Sequence, residues 1–338
     1  MTRNFLIVLA VSSLGLFGCI ERKEKITIEA DGTVLLEATF ETDSFSELYT
    51  GDAVPSLEAG WLVEESIQVD DEGKEYYRLT AQFFYPPEVE LPENFAVPDD
   101  PQAGLYLQFP TAVAIEERRD GTYYHFHRTY PRRPWAHIDA LRQLLVEEKL
   151  KDVSGKKDED LTREDRTLML SSFADFEVAK MLMFARSAFL EVTPDAPQDG
   201  WLQVHAAINT MKAGLDYLRL ASLMELDDRH RREEALAQEA QRWEEESLKC
   251  LQAALAEFCG YGGAQMSAFL HRYDWLRRSF EITQDLGDDA FEITVIMPGE
   301  IVGSNADSTF ANRAIWKFSG ERFRDRDVEL MVSSRLAH

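Results

Sequence analysis

The sequence is poor in cysteine, in positive charge and in long apolar runs. Three cysteines in 338 residues are too few for the disulfide framework of a small secreted domain. Only 36 Lys and Arg residues stand against 61 Asp and Glu residues, a formal charge of −25, which argues against a nucleic acid partner held through its phosphates. After residue 19, no apolar run approaches the ~20 residues that span a bilayer. We therefore expect that part of the chain to be water-soluble.

The motifs of several enzyme classes are also missing. The chain has neither H-E-x-x-H nor G-x-S-x-G, and it has no P-loop and no paired C-x-x-C. Its carboxylates are so numerous that no pair of them is singled out as a general acid and base. We therefore predict a protein that is not an enzyme and that carries no cofactor.

The first nineteen residues have a composition of their own. Arg3 supplies positive charge, and Phe5 to Phe17 is an uninterrupted run of 13 apolar and small residues. A helix of that length covers about 20 Å, well short of the roughly 30 Å hydrocarbon core of a bilayer. The segment therefore predicts a secretory leader rather than a spanning helix.

The apolar run ends in Leu16-Phe17-Gly18-Cys19, which resembles a bacterial lipobox. The resemblance implies a signal peptide at residues 1–18, cleavage just before Cys19, and attachment of diacylglycerol and further acyl chains such as palmitate to that cysteine. Gly18 supplies the small residue that the cleavage requires. Phe17 departs from the pattern, in which a small residue is commoner at that position.

The implied anchor also predicts where the protein is located. Acyl chains on Cys19 make the membrane the first expected partner and place the body in the cell envelope, facing the periplasm or the exterior. Ile20 stands where an Asp marks retention at the inner membrane, which favours the outer membrane. The alternative is an ordinary signal peptide that happens to end in a cysteine.

Alternating apolar residues predict strands at both ends of the chain. Two alternating segments, Ile26–Ile28 and Val34–Phe40, flank an Asp-Gly pair, which is typical of a hairpin. A three-residue loop at Asp31–Thr33 puts all their apolar residues on one face and pairs Ile28 with Leu36. Further strands are expected at 61–69, 76–85, 111–130 (with a turn at Asp120-Gly121), 291–297, 314–318 and 328–332.

From Pro134 the spacing of apolar residues becomes helical. Thr162 followed three residues later by Asp165 predicts a capping box at a helix start. Cys250 and Cys259 fall in one predicted helix, about 13 Å apart along its axis, so we expect free thiols rather than a disulfide. The helices are expected at 134–150, 162–192, 200–226, 228–259 and 263–284.

Strands at both ends and helices between them predict an α+β fold. We expect the two ends to join in one antiparallel β-sheet or partly closed barrel, with a helical bundle inserted between them. The predicted organisation is a β-rich domain in two parts, 19–132 and 287–338, separated by a helical insertion at 133–286.

Two stretches of the strand-rich part resemble LppM-type bacterial lipoproteins. Ile26–Val34, shortly after the lipobox, is similar to the opening hairpin of that family. Ile293–Val302, followed by a small-residue Asn loop and by Ala314–Phe318, is similar to its closing strands. The resemblance implies a lipid-anchored, β-rich domain with no catalytic residues to carry over, and it does not extend to the helical block.

Two histidines are the candidates for a metal site. His125 and His127 share one face of a predicted strand and can therefore ligate one ion together. A two-residue turn at Asp120-Gly121 places His125 opposite Glu116 and His127 opposite Ala114, which would complete a zinc set. A hydrated outer face explains the same residues more simply, so no resident metal is predicted.

The sequence predicts a lipid-anchored lipoprotein that acts as a non-enzymatic binding module of the cell envelope, with a protein or lipid partner. One alternative is an envelope metal-dependent enzyme that uses His125 and His127. Another is a structural spacer in which the charged helix at 227–249 keeps two bodies apart. Residues 41–100 carry sixteen acids against Lys74 and Arg78, which indicates a solvated surface or a face that attracts a basic partner.

Overall fold

The computed structural model describes residues 20–49, 51–69, 73–87, 89–195, 198–226 and 228–338. The predicted signal peptide and Cys19 lie outside the described residues. The chain forms two compact units, a helical unit from residues 135–278 and a β-rich unit from residues 20–134 together with 279–338. No helix within the described ranges combines the length and the apolarity that crossing a membrane requires.

The β-rich unit is built from two sheets. Its strands are β1 (Glu21–Ile28), β2 (Val34–Thr42), β3 (Leu62–Val69), β4 (Glu75–Tyr85), β5 (Thr111–Arg118), β6 (Gly121–Tyr130), β7 (Ala290–Ile296), β8 (Glu300–Ser304), β9 (Ser308–Phe310), β10 (Arg313–Ser319) and β11 (Val328–Leu336). A seven-stranded sheet has the order β3-β4-β2-β1-β7-β10-β9, and a four-stranded sheet has the order β5-β6-β11-β8.

The α+β class is confirmed, and strands from the two ends of the chain do pair. β1 lies beside β7 and β6 lies beside β11, so the strands before and after the helices complete each other's sheets. The prediction of one antiparallel sheet was wrong in two respects. The strands divide into two sheets, and β1 runs parallel to β7, a pairing that a tight hairpin could not make and that the long stretch of chain between the two strands permits.

The first hairpin turns one residue earlier than the sequence analysis predicted. Ile28 pairs with Val34 rather than with Leu36, so the three-residue loop is Ala30–Gly32. Gly32 occupies the last loop position because its φ of +89° lies in the left-handed region that other residues avoid. The register shifts by two residues, an even number, so the alternating apolar face is buried as predicted.

A buried ion pair joins the two sheets. Arg128 of β6 donates to Oε2 of Glu24 of β1 over 2.6 Å, and the two side chains are 1% and 3% exposed. The Arg128 Nε also donates to Oγ1 of Thr111 over 2.8 Å, and the guanidinium lies over the ring of Phe109. Because neither charge reaches water, each depends on the other for its compensation.

The helical unit follows the sequence pattern closely. Its helices are α1 (Ala136–Arg142, continuing through a π turn at Gln143–Glu147 to Glu148–Leu150), α2 (Arg163–Val192), α3 (Gln198–Ala213), α4 (Tyr217–Met224), α5 (Arg229–Cys259) and α6 (Gly263–Gly287, of which residues 279–287 belong to the β-rich unit). The capping box is confirmed, since the Thr162 side chain accepts from the Asp165 N–H and the Asp165 side chain accepts from the Thr162 N–H. The helix predicted at 200–226 is broken at residues 214–216, where Asp216 caps α4 after a glycine that disfavours helix.

Helix packing gives the helical unit a core of its own. Phe189 of α2, Leu255 of α5 and Phe269 of α6 are buried together. Gly200 permits the contact between α3 and α5, because a Cβ at this position would lie 2.6 Å from the Phe258 carbonyl oxygen.

The two remaining cysteines are free, as predicted. Cys250 and Cys259 both lie in α5 and are half-buried. A continuous helix keeps their sulfurs too far apart to bond. Burial raises the pKa of both thiols, which makes them less reactive at neutral pH.

Replacing Glu24 with Ala will lower the free energy of unfolding by about 3–5 kcal/mol, because Arg128 then stays buried without its partner. Urea denaturation followed by circular dichroism measures the change. The double variant Glu24→Met, Arg128→Met will recover most of the loss, since it leaves no uncompensated charge.

A surface pair that also involves β1 is the matched control. Lys25 and Glu37 also bond at 2.5 Å, but their side chains are 48% and 38% exposed. Glu37→Ala will therefore cost less than about 1 kcal/mol. Equal losses for Glu24→Ala and Glu37→Ala would show that burial does not set the strength of the Glu24 pair.

Candidate functional site

The candidate site lies where the described chain begins, one residue after Cys19. The Ile20 N–H donates to Oδ1 of Asp289 over 3.1 Å, and the Ile20 carbonyl accepts from the Ala290 N–H over 3.0 Å. Ile20 is itself buried, and β1 starts at the next residue. The residue that would follow the acylated cysteine is therefore held by both of its backbone polar groups.

The side chain of Arg22 extends this contact into the interior. Its Nε donates to Oδ2 of Asp289 over 2.7 Å, and its Nη1 donates to Oδ2 of Asp52 over 2.6 Å. All three side chains are at most 3% exposed. The guanidinium also lies 5.5 Å from the ring centres of Phe40 and Phe291, which adds a cation–π contribution. We call Arg22, Asp52 and Asp289 the buried triad.

The buried triad also fixes the loop that follows β2. The second carboxylate oxygen of Asp52 accepts from the Leu107 N–H over 2.7 Å. Gly51 beside it has a φ of +114°, and a Cβ there would lie 2.2 Å from an Asp285 carboxylate oxygen. Glycine is required at this position for both reasons, since the backbone conformation and the close approach exclude a side chain.

Burial and charge act in opposite directions on the buried triad. Burial raises the pKa of Asp289 to about 6, although Arg22 and the Ile20 N–H lower it. Burial also disfavours the charged form of Arg22, but Asp289 and Asp52 together keep the pKa of its guanidinium above the usual value. Near neutral pH the arrangement therefore holds a cation between two carboxylates, one of which is close to its titration point.

Chemically, the arrangement positions a chain segment rather than a substrate. Every polar atom named in the buried triad is used to hold β1, the loop after β2 or the start of β7. Sequence analysis singled out Cys19, which lies outside the described residues, and missed Asp52 and Asp289. A signal for the missing partners was present, because Arg22 alternates with Ile26 and Ile28 and so falls on the buried face of β1.

The histidines are arranged differently from the prediction. His125 pairs with Ala114 and His127 pairs with Ala112, not with Glu116 and Ala114. The turn consists of residues 119 and 120, and Gly121 already belongs to β6. A Cβ on Gly121 would lie 2.4 Å from the Leu336 carbonyl oxygen of the strand beside it, so glycine is needed in the strand and not in the turn.

The predicted metal candidates are engaged with other groups. The His125 Nδ1 lies 2.8 Å from Oγ of Ser333, and its Nε2 lies 3.9 Å from Oε2 of Glu116. Glu116 bonds to Arg118 over 2.7 Å, which lowers the pKa of the carboxyl. His127 has Thr129 at 3.4 Å. In the part of the chain that the structure describes, no three His, Cys, Asp or Glu side chains are grouped closely enough to hold a metal ion.

The residues that carry the family resemblance make structural contacts. Asn305 accepts from the Trp316 indole N–H over 3.0 Å and from the Met331 N–H over 2.8 Å. Its amide donates to the Glu329 carbonyl over 2.8 Å. Asn305 therefore connects the side chain of Trp316 in β10 to the backbone of β11. These hydrogen bonds give the Asn loop and the following Trp strand a structural role in the fold.

Comparison with known proteins gives little further information. No protein-family model matches the chain, and no curated protein sequence matches it. Among solved structures, the NMR structure of the folded domain of Mycobacterium tuberculosis LppM aligns with 96% of this chain and 95% of that chain, at 11% sequence identity and a TM-score of 0.29. A TM-score of this size does not establish a common fold, so the relation to LppM-type lipoproteins stays an expectation from the sequence.

Titration of Asp289 will make the protein more stable in mild acid. Its pKa is raised to about 6 in the folded chain from an ordinary 3.8, so the folded state binds the proton more tightly than the unfolded state does. The contribution is fully present below pH 3.8 and is lost as the pH rises through 6. The stability of the wild type relative to Asp289→Asn will therefore fall by roughly 2–3 kcal/mol between pH 4 and pH 7.5.

Urea denaturation of both chains at several pH values measures this difference. Asp165→Asn is the control, because the pKa of Asp165 is lowered to about 2 by Lys156 and Thr162. The stability of the wild type relative to Asp165→Asn will stay constant above about pH 4. It will fall as the pH drops below about 4, which is the opposite direction to the change expected for Asp289. A flat difference for Asp289→Asn over pH 4–7.5 would mean that this carboxyl is already charged at pH 4.

Proposed function

We propose that the chain is a lipid-anchored extracytoplasmic lipoprotein whose folded body is a non-enzymatic interaction module of the cell envelope. The observation that carries the proposal is the junction at Ile20. A secretory leader and a Gly-Cys pair come before it, and β1 begins directly after it. Cleavage before Cys19 would remove the leader without removing any residue of the sheet.

Energetics support acylation of Cys19 as a durable anchor. Each buried methylene contributes on the order of 0.8 kcal/mol, so a diacylglycerol with a further acyl chain holds a protein at a bilayer where one chain would not. No membrane-crossing helix is present in the described ranges, so in this proposal the acyl chains are the attachment. Ile20 in place of Asp supports the outer membrane as the destination in organisms that use the Asp mark.

The division into two units supports an interaction role for the helical unit. The β-rich unit completes its sheets from strands before and after the insertion. The helical unit contributes no strand to either sheet, and it has a buried core of its own. It therefore offers additional surface, on which Leu144, Leu202 and Leu218 are each more than half exposed.

Mass spectrometry of the protein purified from membranes tests the anchor. The chain will begin at Cys19 and will carry the added mass of diacylglycerol and acyl groups. In Cys19→Ala, both the added mass and the cleavage before residue 19 will be absent. Cys250→Ala is the matched control, because Cys250 is a half-buried free thiol of the body and its variant will be processed as the wild type is. An unmodified thiol at Cys19 in the wild type would contradict the proposal.

Affinity capture from the cell envelope tests the interaction role. A chain in which a short Gly-Ser linker replaces residues 135–278 will lose partners that the intact chain captures. The linker can be short, because the Arg133 guanidinium donates to the Ser279 carbonyl oxygen over 2.9 Å. Both chains keep Cys19, and circular dichroism reports whether the shortened chain retains its strands. Identical partner sets from two folded chains would contradict a role for the helical unit.

A further inference from the structure

The end of the seven-stranded sheet at which Ile20 lies also carries exposed apolar side chains. Strand pairing defines the last row of residues at this end. Glu21 of β1 pairs with Glu41 of β2. Ile20 lies one residue before Glu21, and Thr42 lies one residue after Glu41, so both fall in the next row. Thr42 pairs with Tyr77, and Tyr77 pairs with Ile67 of the edge strand β3. Adjacent strands lie about 4.8 Å apart, so Ile67 is roughly 14 Å from Ile20 along this row.

Four side chains at this end are exposed although they are apolar or aromatic. Phe45, Tyr49, Ile67 and Val69 have 46%, 52%, 59% and 62% of their surface exposed. The Phe45 ring lies 5.2 Å from the Tyr49 ring and 5.7 Å from the ring of Tyr77, a residue of the last row. We call Phe45, Tyr49, Ile67 and Val69 the anchor-end patch.

Chain connectivity places the lipid beside this patch. Cys19 is bonded to Ile20, so their Cα atoms are about 3.8 Å apart. Ile20 cannot move away from the sheet without breaking its hydrogen bonds to Asp289 and Ala290. With no spacer between the acylated residue and the sheet, the bilayer surface must lie at this end of the sheet. Exposed aromatic side chains are favourable at such a surface, where an apolar ring and a polar tip are both accommodated.

The charges around the patch favour a zwitterionic lipid surface. Glu41 bonds to Lys23 and Arg78, Asp43 bonds to Lys74, and the Tyr49 hydroxyl donates to Glu65. These acids are therefore engaged within the protein, but the sequence around the patch remains acidic. An anionic lipid surface would repel it, whereas a zwitterionic surface would not.

We propose that the anchor-end patch inserts into the headgroup region of the bilayer that holds the acyl chains of Cys19. The β-rich unit then docks on the membrane through this end of its large sheet. The proposal rests on the lipid anchor of the preceding subsection, and it adds a second, non-covalent attachment by the body of the protein.

Two phenylalanines at the opposite end of the sheet provide internal controls. Phe84 pairs with Leu35 near the first hairpin, and Phe310 pairs with Arg313. These side chains are 62% and 80% exposed. Phe45 and Phe84 have the same intrinsic reactivity toward hydroxyl radicals, so their reactivities report their relative exposure. Their exposed fractions of 46% and 62% correspond to a ratio of about 0.7 when neither side chain is covered.

Hydroxyl-radical footprinting of the full-length protein in phosphatidylcholine vesicles tests the proposal. Mass spectrometry of the same sample reports acylation of Cys19 and oxidation of each phenylalanine. We expect a Phe45-to-Phe84 ratio below about 0.2, with Phe310 fully reactive, since insertion removes Phe45 from water. An acylated sample with a ratio near 0.7 overturns the docking and leaves the anchor standing. A sample without acyl groups overturns the anchor, and the docking with it.

Transfer of the acylated protein between vesicles is an independent measurement. Phe45→Ser combined with Tyr49→Ser will speed the transfer about tenfold or more, because two aromatic contacts with lipid are lost. Phe84→Ser combined with Phe310→Ser will leave the rate unchanged. Equal rates for the two double variants would overturn the proposal. Protection of Phe45 from oxidation in native membranes but not in pure lipid vesicles would overturn the proposal too, since the patch would then be covered by a protein rather than by lipid.

Discussion

Arg22 is held between Asp289 and Asp52, and this buried triad joins three parts of the chain that are far apart in sequence. It connects the first strand, the loop after β2 and the residue before β7. It lies at the start of the parallel pairing of β1 with β7, two strands separated by the helical unit, since the chain leaves the β-rich unit at residue 134 and returns only at residue 279. Removing Arg22 would leave two buried carboxylates without compensation, which costs several kcal/mol.

The same interaction connects stability, pH and the position of the N-terminus. Asp289 holds the Ile20 N–H with one oxygen and Arg22 with the other. Its pKa of about 6 means that mild acid neutralises the carboxylate shared by both contacts. Arg22 keeps its second carboxylate, Asp52, so protonation relieves the cost of burying one negative charge without leaving the cation alone. Protonation of Asp289 in mild acid therefore leaves β1 attached through the ion pair of Arg22 with Asp52.

Local patterns predicted much of the fold, and long-range pairing accounts for the errors. Alternation and helical spacing identified the principal strands and helices, because they depend on neighbouring residues. The register of the first hairpin was wrong by two residues because it depends on the φ of Gly32. The parallel pairing of β1 with β7 could not be predicted, since nothing near either strand encodes it. Arg22 and Glu24 alternate with Ile26 and Ile28 and are buried with them, but their partners could not be found, since Asp289 is 269 residues away from Ile20.

In many proteins, well-packed apolar residues are as stabilising as a buried ion pair or more so. The presence of charged residues at the start of β1 therefore needs an explanation. If Cys19 carries acyl chains, the start of β1 lies close to a bilayer, and apolar side chains there would gain little from packing in the sheet rather than in lipid. Arg22 and Asp289 remove that alternative, because charged side chains are costly in a bilayer. In the proposed lipid-anchored protein, the triad would hold the start of β1 in the sheet while the acyl chains enter the membrane.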